Sequence, residues 1–353
     1  MAIGFPVKAN YVTGEVLTAA NMNDLSGTVN ILQSTQYAAG KNKIINGDFG
    51  IWQRGTSFSN PTNGTYTADR WFVELDGSGY TRTISQQTFT PGTAPVAGYE
   101  GTYFFRWNNS VAGTGNTINA LSQRIEDIRT FAGQTVTLSF WAKADASRAL
   151  TVYAYQQSTS GSGTVTTTVG TATLTTSWAR YTMTVAIPSL SGITIGTNSN
   201  LQIRIAMPTG VTMTCDFWGM QIEENSVATD FQTATGTIQG ELAACQRYYY
   251  LHVTGTSQSF ANAANFSASQ MSALINFPVT MRTTPTLSAT SGTDYYSFAR
   301  NGGSDTMNSL TINTPATSAA EVYNDSQISG TAGHAGILKT NNASAAVAFS
   351  AEL

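Results

Sequence analysis

Residues 135–144 read TVTLSFWAKA, and this stretch indicates most clearly which fold the chain adopts. Val136, Leu138, Phe140 and Ala142 alternate with mostly polar residues. Successive side chains of a β-strand point to opposite faces, so a period of two gives the strand one apolar face. The segment is therefore predicted to be a strand with one side in a hydrophobic core.

Similar alternations occur along most of the chain. About eight or nine strand candidates, separated by Gly, Pro, Asn and Ser, lie between Ile44 and Glu224, a number that suits a two-sheet jelly roll. Further candidates after Glu241 predict a second, smaller β-sandwich. The clearest segments are 150–157, 181–187 and 201–207 in the first set, and 247–253, 270–277, 295–299 and 345–352 in the second.

Near Asp216 the alternation changes parity. Cys215 and Phe217 share one strand face with Met213, but Trp218 and the apolar residues after it fall on the other. A β-bulge, or a strand buried on both sides, explains such a change.

The N-terminal region shows a different period. Met22, Leu25, Val29 and Leu32 recur at helical spacing. A lone helix with a thin apolar stripe needs another surface to cover it, so we expect it to pack on other copies of the chain or on a partner. Packing against its own sandwich is the alternative.

The fold class is thus all-β, with a short helix-containing N-terminal segment, a jelly-roll β-sandwich and a smaller C-terminal β-sandwich. Their predicted bounds are 1–40, 41–235 and 236–353. A length of 353 residues agrees with more than one domain.

Composition excludes several classes of partner. Charged residues make up 10% of the chain and the net charge is -3, so no basic surface for nucleic acid or anionic lipid is expected. We find neither a signal-peptide pattern nor an apolar run long enough to span a bilayer, and expect no membrane insertion. The two cysteines, Cys215 and Cys245, are expected to be buried thiols, although a bridge between them is an alternative.

Several strings of the sequence carry a resemblance to a known family. Six of them are KNKIINGDFGIWQRGTSF from Lys41, YTADRW from Tyr66, LSQRIEDIRTFAGQTVTLSFWAKA from Leu121, TTSWARYTMTVAIP from Thr175, FWGMQIEENSVATDF from Phe217 and ELAACQRYYY from Glu241. In this order they resemble the first sandwich of tailed-bacteriophage fibre proteins. FPVKANYVTGEVLTAANMNDL near the start resembles the region that joins such fibres to the particle, and FPVTMRTTPTL from Phe277 resembles their distal domains.

The resemblance implies a jelly roll related to carbohydrate-binding modules, within a homo-oligomeric, commonly trimeric, appendage of the virion. Segment 1–40 would attach to other tail or capsid proteins, and 236–353 would form the distal, receptor-facing domain. Such a protein is made in the host cytoplasm and ends up on the virion surface. Because the sequence has no coiled-coil or collagen-like shaft, any projection is expected to be short.

We therefore expect a short tail fibre or receptor-binding protein that contacts host surface glycan. The alternatives are a capsid decoration, head fibre or tail adaptor without a ligand, and a polysaccharide depolymerase. Catalysis is not expected, because neither histidine has nucleophile or zinc-ligand spacing, and the adjacent carboxylates at 126–127 and 223–224 would point to opposite faces of a strand.

A sugar needs an aromatic ring for its C–H face and polar planar groups for its hydroxyls. Tyr153, Tyr155 and Gln157 share one face of a predicted strand, and Trp141 and Arg204 lie on the outer faces of theirs. These five residues are the candidate glycan site. Sandwich packing or a subunit interface is the alternative explanation for aromatic residues in this pattern.

The resemblance also implies a structural calcium ion, because modules of this type hold Ca²⁺ between their first loop and their closing strand. Asp48 and Asp216 occupy these positions, and carboxylate oxygens suit that ion. Single carboxylates near turns also cap backbone N–H groups, which is the alternative. No other cofactor is expected.

Overall fold

The computed structural model describes residues 40–96, 99–159, 161 and 163–353. The described part of the chain is nearly all β, as the sequence predicts. The candidate helix with Met22, Leu25, Val29 and Leu32 lies outside the described residues, so the N-terminal segment stays a prediction.

Among the described residues, eleven strands, β1 to β11, form the first sandwich. Their bounds are β1 Ser57–Ser59, β2 Trp71–Leu75, β3 Ser78–Thr88, β4 Tyr103–Thr114, β5 Asn119–Ile125, β6 Thr135–Ala144, β7 Arg148–Gln157, β8 Thr164–Leu174, β9 Ala179–Ala186, β10 Asn200–Ala206 and β11 Met213–Glu223. One sheet has six strands in the order β1-β3-β4-β11-β6-β9, and the other has five in the order β2-β5-β10-β7-β8. Two antiparallel sheets with this interleaved order are consistent with a jelly roll.

A helix and ten strands follow. Their bounds are α1 Ile238–Gln246, β12 Tyr249–Thr254, β13 Ser259–Asn265, β14 Met271–Asn276, β15 Thr286–Ala289, β16 Tyr296–Arg300, β17 Gly303–Met307, β18 Thr311–Asn313, β19 Ala319–Asn324, β20 Ala335–Thr340 and β21 Ala346–Ser350. The strands form a three-stranded sheet, β12-β21-β15, and a seven-stranded sheet, β17-β16-β20-β13-β14-β19-β18.

Each sandwich has its own hydrophobic core. In the first, alternate residues of facing strands meet, and Trp71, Phe105, Phe140 and Phe217 are at most 1% exposed. In the second, Phe298 is a fully buried member of a separate cluster. Burying one such side chain contributes about 1.5–3 kcal/mol to the hydrophobic stabilisation, so each core anchors its own sheets.

The parity change in β11 is accompanied by a β-bulge, one of the two explanations that the sequence left open. The pairing of β11 with β6 shifts register between Trp218 and Gln221. Gly219 has φ +67, a conformation that side chains with a Cβ adopt only at a cost. As a result Phe217 and Met220 both face the main core, while Trp218 faces a second aromatic cluster on the outer side.

Helix α1 was not predicted from the sequence, which assigned its residues to the start of the second sandwich. Its N-cap is Thr237, whose hydroxyl accepts a hydrogen bond from the Gly240 amide at 3.1 Å. Its buried residues are Glu241 and Cys245. Because helix α1 buries one acid and one thiol, it has no apolar stripe. An apolar stripe is the feature from which hydrophobic periodicity predicts a helix.

Both cysteines are free and buried, as expected. Cys215 lies in the first core, where burial raises the pKa of its thiol to about 12. Burial likewise raises the pKa of Cys245. A thiol that remains protonated is a poor nucleophile, so neither side chain is suited to react from the folded state.

Replacing Gly219 by alanine tests the bulge. A Cβ there would lie 2.8 Å from the Trp141 ring, whereas a Cβ at Gly210, which has nearly the same φ of +66, would meet nothing within 4 Å. Gly210→Ala should lower the free energy of unfolding by about 1–2 kcal/mol through backbone strain alone. Gly219→Ala should lower it by roughly a further 1–3 kcal/mol through overpacking. Urea unfolding of both variants measures the difference, and equal losses would show that Trp141 does not constrain the bulge.

Candidate functional site

The outer face of the five-stranded sheet carries the most concentrated set of polar and aromatic side chains among the predicted site residues. On β7, Val152 and Ala154 point into the core, so Tyr153 and Tyr155 point outward. On β10, the core position of Ile203 places its neighbours outward in the same way. We call this surface the Tyr153 face and define it by Glu74, Tyr153, Tyr155, Gln157, Gln202 and Arg204.

Strand register brings these residues together. In the pairing of β10 with β7, Arg204 lies opposite Tyr153 and Gln202 lies opposite Tyr155. Strand β5 lies on the other side of β10, with Ser122 opposite Arg204. Side chains opposite each other on one face of a sheet are in contact distance, so residues far apart in the sequence form one patch.

Glu74 on β2 is the anchor of this patch. It accepts hydrogen bonds from Arg204 Nη2 at 2.7 Å, Gln202 Nε2 at 2.8 Å and Ser122 Oγ at 2.6 Å. Burial acts to raise the pKa of Glu74, but the hydrogen bonds from Arg204, Ser122 and Gln202 outweigh it and lower the pKa. The carboxylate therefore stays ionised and fixes the Arg204 guanidinium in one orientation.

The two tyrosines form an angled aromatic surface beside this guanidinium. Their ring centroids are 5.9 Å apart and their planes are inclined by 39°. Arg204 Nη1 donates to the Tyr155 hydroxyl at 2.9 Å, and the guanidinium carbon lies 4.6 Å from the Tyr155 ring centroid. Both tyrosines are half-buried, so part of each ring remains accessible.

Polar groups remain available for a ligand at this surface. An arginine has five N–H donors, and three hydrogen bonds of Arg204 lead to Glu74 and Tyr155, which leaves two. Gln157 donates to the Gln202 side-chain oxygen at 3.1 Å and keeps its own amide oxygen. Gln202 itself is fully buried, so it supports the patch from below. Ring faces beside fixed donors and acceptors suit a polyhydroxylated ligand.

Four of the five predicted glycan residues thus lie in this patch, while Trp141 does not. Trp141 is on β6 of the six-stranded sheet and is 8% exposed. It packs against Trp218 at 5.6 Å, and the Arg180 guanidinium carbon lies 4.6 Å from its ring centroid. Its outward direction was predicted, but strand order places it on the opposite side of the sandwich.

The two carboxylates considered for calcium lie in different surroundings. Both oxygens of Asp216 accept from Arg106, at 2.7 and 2.8 Å, and Lys143 Nζ lies 3.6 Å away. Asp48 instead lines a cavity of about 450 Å³ with Glu241. Because two cations already neutralise Asp216, the pair does not fit a Ca²⁺ ion. Among the described residues, no three His, Cys, Asp or Glu side chains form a metal-binding group.

The sequence predicted that the adjacent carboxylates at 126–127 point to opposite faces of a strand, and this prediction is wrong. Glu126 and Asp127 line one groove of about 760 Å³, because they lie in a turn and not on a strand. Each is paired with an arginine, Glu126 with Arg247 at 2.9 Å and Asp127 with Arg129 at 2.6 Å. These ion pairs place the two carboxylates in structural contacts.

Sequence reasoning missed Glu74 and Ser122. Glu74 lies between Val73 and Leu75, both buried, so its outward direction could be read from the alternation in WFVEL. Its closeness to Arg204 could not be read, because it depends on β2, β5 and β10 being neighbours in the sheet.

Comparison with known families gives one match. Residues 83–212 match the family model of a carbohydrate-binding domain. This segment includes β7 and β10, which carry five of the six residues of the Tyr153 face, all except Glu74. Just over a third of the chain is similar to this family. No curated protein sequence matches the chain.

Three solved structures are among those that match part of the chain. A structure described as "CBM4 structure and function" is 21% identical, covers 51% of this chain and 98% of its own, and has a TM-score of 0.32. The enzymatically active domain of tailspike protein 4 from bacteriophage CBA120 is 14% identical, covers 52% of this chain and 21% of its own, and has a TM-score of 0.34. The xylan-binding domain CBM22-1 of Paenibacillus barcinonensis Xyn10C is 14% identical, covers 54% and 98%, and has a TM-score of 0.32.

Within the described residues, no helix has both the length and the apolar character needed to cross a membrane.

The lowered pKa of Glu74 predicts a pH-dependent contribution to stability. A depressed carboxyl pKa stabilises the folded state above the unfolded-state value of about 4.5, and this stabilisation disappears as the pH falls. At pH 7, Glu74→Gln should lower the free energy of unfolding by about 1–3 kcal/mol, the usual cost of losing hydrogen bonds to a charged group. The difference in the free energy of unfolding between the variant and the native chain should become smaller towards pH 3.

Exposed Glu224 provides the control. Glu224→Gln should unfold like the native chain at both pH values in the same urea titrations. If Glu74→Gln lowers the free energy of unfolding by the same amount at pH 7 and at pH 3, the role of Glu74 as the ionised anchor is contradicted.

Proposed function

We propose that this protein is a short tail fibre or receptor-binding protein of a bacteriophage, and that it contacts host surface glycan through the Tyr153 face. The observation that carries the glycan part is the inclined pair of Tyr153 and Tyr155 beside a guanidinium fixed by Glu74. The family match over residues 83–212 supports it, because the matched family binds carbohydrate. The phage setting is supported by the resemblance of the sequence strings to phage fibre proteins.

Binding, and not bond cleavage, is the chemistry that the Tyr153 face supports. Glu74 is the one carboxylate among its six residues, and it is engaged by Arg204, Gln202 and Ser122. Glycoside hydrolysis uses a pair of carboxyl groups on either side of the bond. A depolymerase would therefore need a different surface.

Glycan binding by the Tyr153 face is tested with a glycan array and labelled host cells. Tyr155→Ala and Arg204→Ala should each weaken binding about tenfold or more, because truncating a central aromatic or arginine contact costs more than ~1 kcal/mol. The matched control is Tyr323→Ala, a half-buried tyrosine on the outer face of the second sandwich, which should bind as the native chain does. Calorimetry with the glycan that gives the strongest array signal measures the affinities.

Two results would decide against this function. Native chain that binds no glycan on the array and no host cell would favour a capsid decoration or tail adaptor. Release of reducing ends from host exopolysaccharide would favour a depolymerase.

We further propose that the protein is a homo-oligomer, most simply a trimer, that joins other tail or capsid proteins through segment 1–40. The resemblance of FPVKANYVTGEVLTAANMNDL to fibre attachment regions supports this. Deleting residues 1–36 should leave sandwiches that still fold but are absent from purified particles, as assayed by immunoblotting. Incorporation of the truncated chain at the native level would contradict the attachment role.

A further inference from the structure

A groove of about 820 Å³ lies between the two sandwiches. One wall comes from the loop and short strand that follow residue 51, and the other from the outer face of the three-stranded sheet. We call it the interdomain groove and define it by Trp52, Arg54, Phe58, Tyr66, Tyr249 and Ser288. None of these residues belongs to the Tyr153 face. The volume lies within the range of about 300–1,000 Å³ typical of small-molecule sites.

The first wall is aromatic and held in place. Trp52 stacks on Phe105 of the first core at 5.8 Å, and its Nε1 donates to the Phe49 carbonyl oxygen at 2.8 Å. Phe58 lies 6.4 Å from Trp52 with its ring inclined by 31°. Trp52, Phe58 and Tyr66 are all half-buried, so the core fixes their orientation while part of each ring remains accessible. Rings fixed in advance lose little entropy when a ligand binds.

Arg54 adds polar groups at the centre of the groove. Its guanidinium carbon lies 3.6 Å from the Tyr249 ring centroid and 5.1 Å from that of Tyr66. Arg54 Nη2 donates to Glu352 at 3.0 Å. Arg54 Nη1 is buried and has no hydrogen-bond partner, although it lies 3.7 Å from an Asp69 oxygen. The guanidinium of Arg54 is thus fixed in the groove wall by Glu352 and Asp69.

The opposite wall supplies hydroxyl groups. Ser288 of β15 and Thr254 at the end of β12 are exposed and line the groove. Aromatic rings on one side and hydroxyl groups on the other match the two kinds of surface that a sugar ring presents.

The charge balance selects the class of sugar. Arg54 is the cation of the groove, and Glu352 and Asp69 already neutralise it. An acidic saccharide would therefore meet the Glu352 carboxylate, which lines the groove, without a free cation to pair with, and such a contact is unfavourable. A neutral saccharide uses the hydroxyl groups and the rings without this penalty.

We propose that the interdomain groove is a second saccharide-binding site, separate from the Tyr153 face, and that it takes a neutral oligosaccharide. Its two walls belong to different sandwiches, so the site exists only when both are in place.

Tryptophan fluorescence of the full chain reports on this groove, because Trp52 lines it and the Tyr153 face contains no tryptophan. Cellohexaose, xylohexaose or laminarihexaose should change the emission in a saturable way, and hexagalacturonate should not. Trp52→Phe should lose the fluorescence change, because the signal comes from the tryptophan that lines the groove. The proposal is overturned if none of the three neutral hexasaccharides changes the fluorescence, or if hexagalacturonate binds with higher affinity than they do.

Substitutions on either wall locate the binding. Ser288→Tyr places a ring in the groove and should weaken binding about tenfold or more. The control Thr286→Tyr adds the same ring at an exposed position of β15 outside the groove and should bind as the native chain does. Phe58→Ala removes part of the first wall without touching the second, and its expected effect is also a loss of about tenfold.

Tyr155→Ala separates this site from the Tyr153 face. This variant should show the same change in Trp52 fluorescence on addition of saccharide as the native chain. Native affinity in both Ser288→Tyr and Phe58→Ala overturns the groove proposal, and it does so whether or not Tyr155→Ala loses array binding. Weakened binding in those two variants supports the groove even if Tyr155→Ala shows that the Tyr153 face binds nothing.

Discussion

The arrangement of the two sandwiches depends on the buried guanidinium of Arg70. This residue is 1% exposed and has φ +71, a left-handed conformation that non-glycine residues seldom adopt. It donates to the Glu352 carboxylate and to the Arg124 carbonyl oxygen, and its guanidinium carbon lies 3.4 Å from the Tyr248 ring centroid. A buried cation is tolerated only with such partners, and Glu352 and Tyr248 belong to the second unit.

The same ion pair determines the shape of the interdomain groove. Glu352 also accepts from Arg54. One carboxylate therefore fixes Arg70 between the two sandwiches and Arg54 in the groove. The Tyr153 face is different, because Glu74 and Arg204 lie within one sheet. Removing one partner of a buried pair costs about 3–5 kcal/mol. Disrupting the ion pair of Arg70 and Glu352 should therefore affect the interdomain groove far more than the Tyr153 face.

Periodicity was enough to predict the all-β class, the strands that contain Phe140, Tyr153 and Ile203, and a change of parity near Asp216, for which a bulge was one of two explanations. In each case, core residues at alternate positions leave a signal within a few residues of sequence. Helix α1 left no such signal, since it buries an acid and a thiol. The partners of Arg204 could not be predicted either, because Glu74 is 130 positions away and becomes its neighbour only through the order of strands in the sheet.

Strand order also explains why Trp141 and Tyr153, which alternate in the same way, have different surroundings. The outer side of the six-stranded sheet carries an aromatic cluster in which Phe89 and Phe231, from segments flanking the strands, pack on Trp218 and so enclose Trp141. At Tyr153 and Tyr155 the five-stranded sheet has no comparable cover among the described residues, and both rings remain half-exposed. An aromatic residue on an outer face becomes a binding surface only where the connecting segments leave it open, which is a property of the whole fold and not of its own strand.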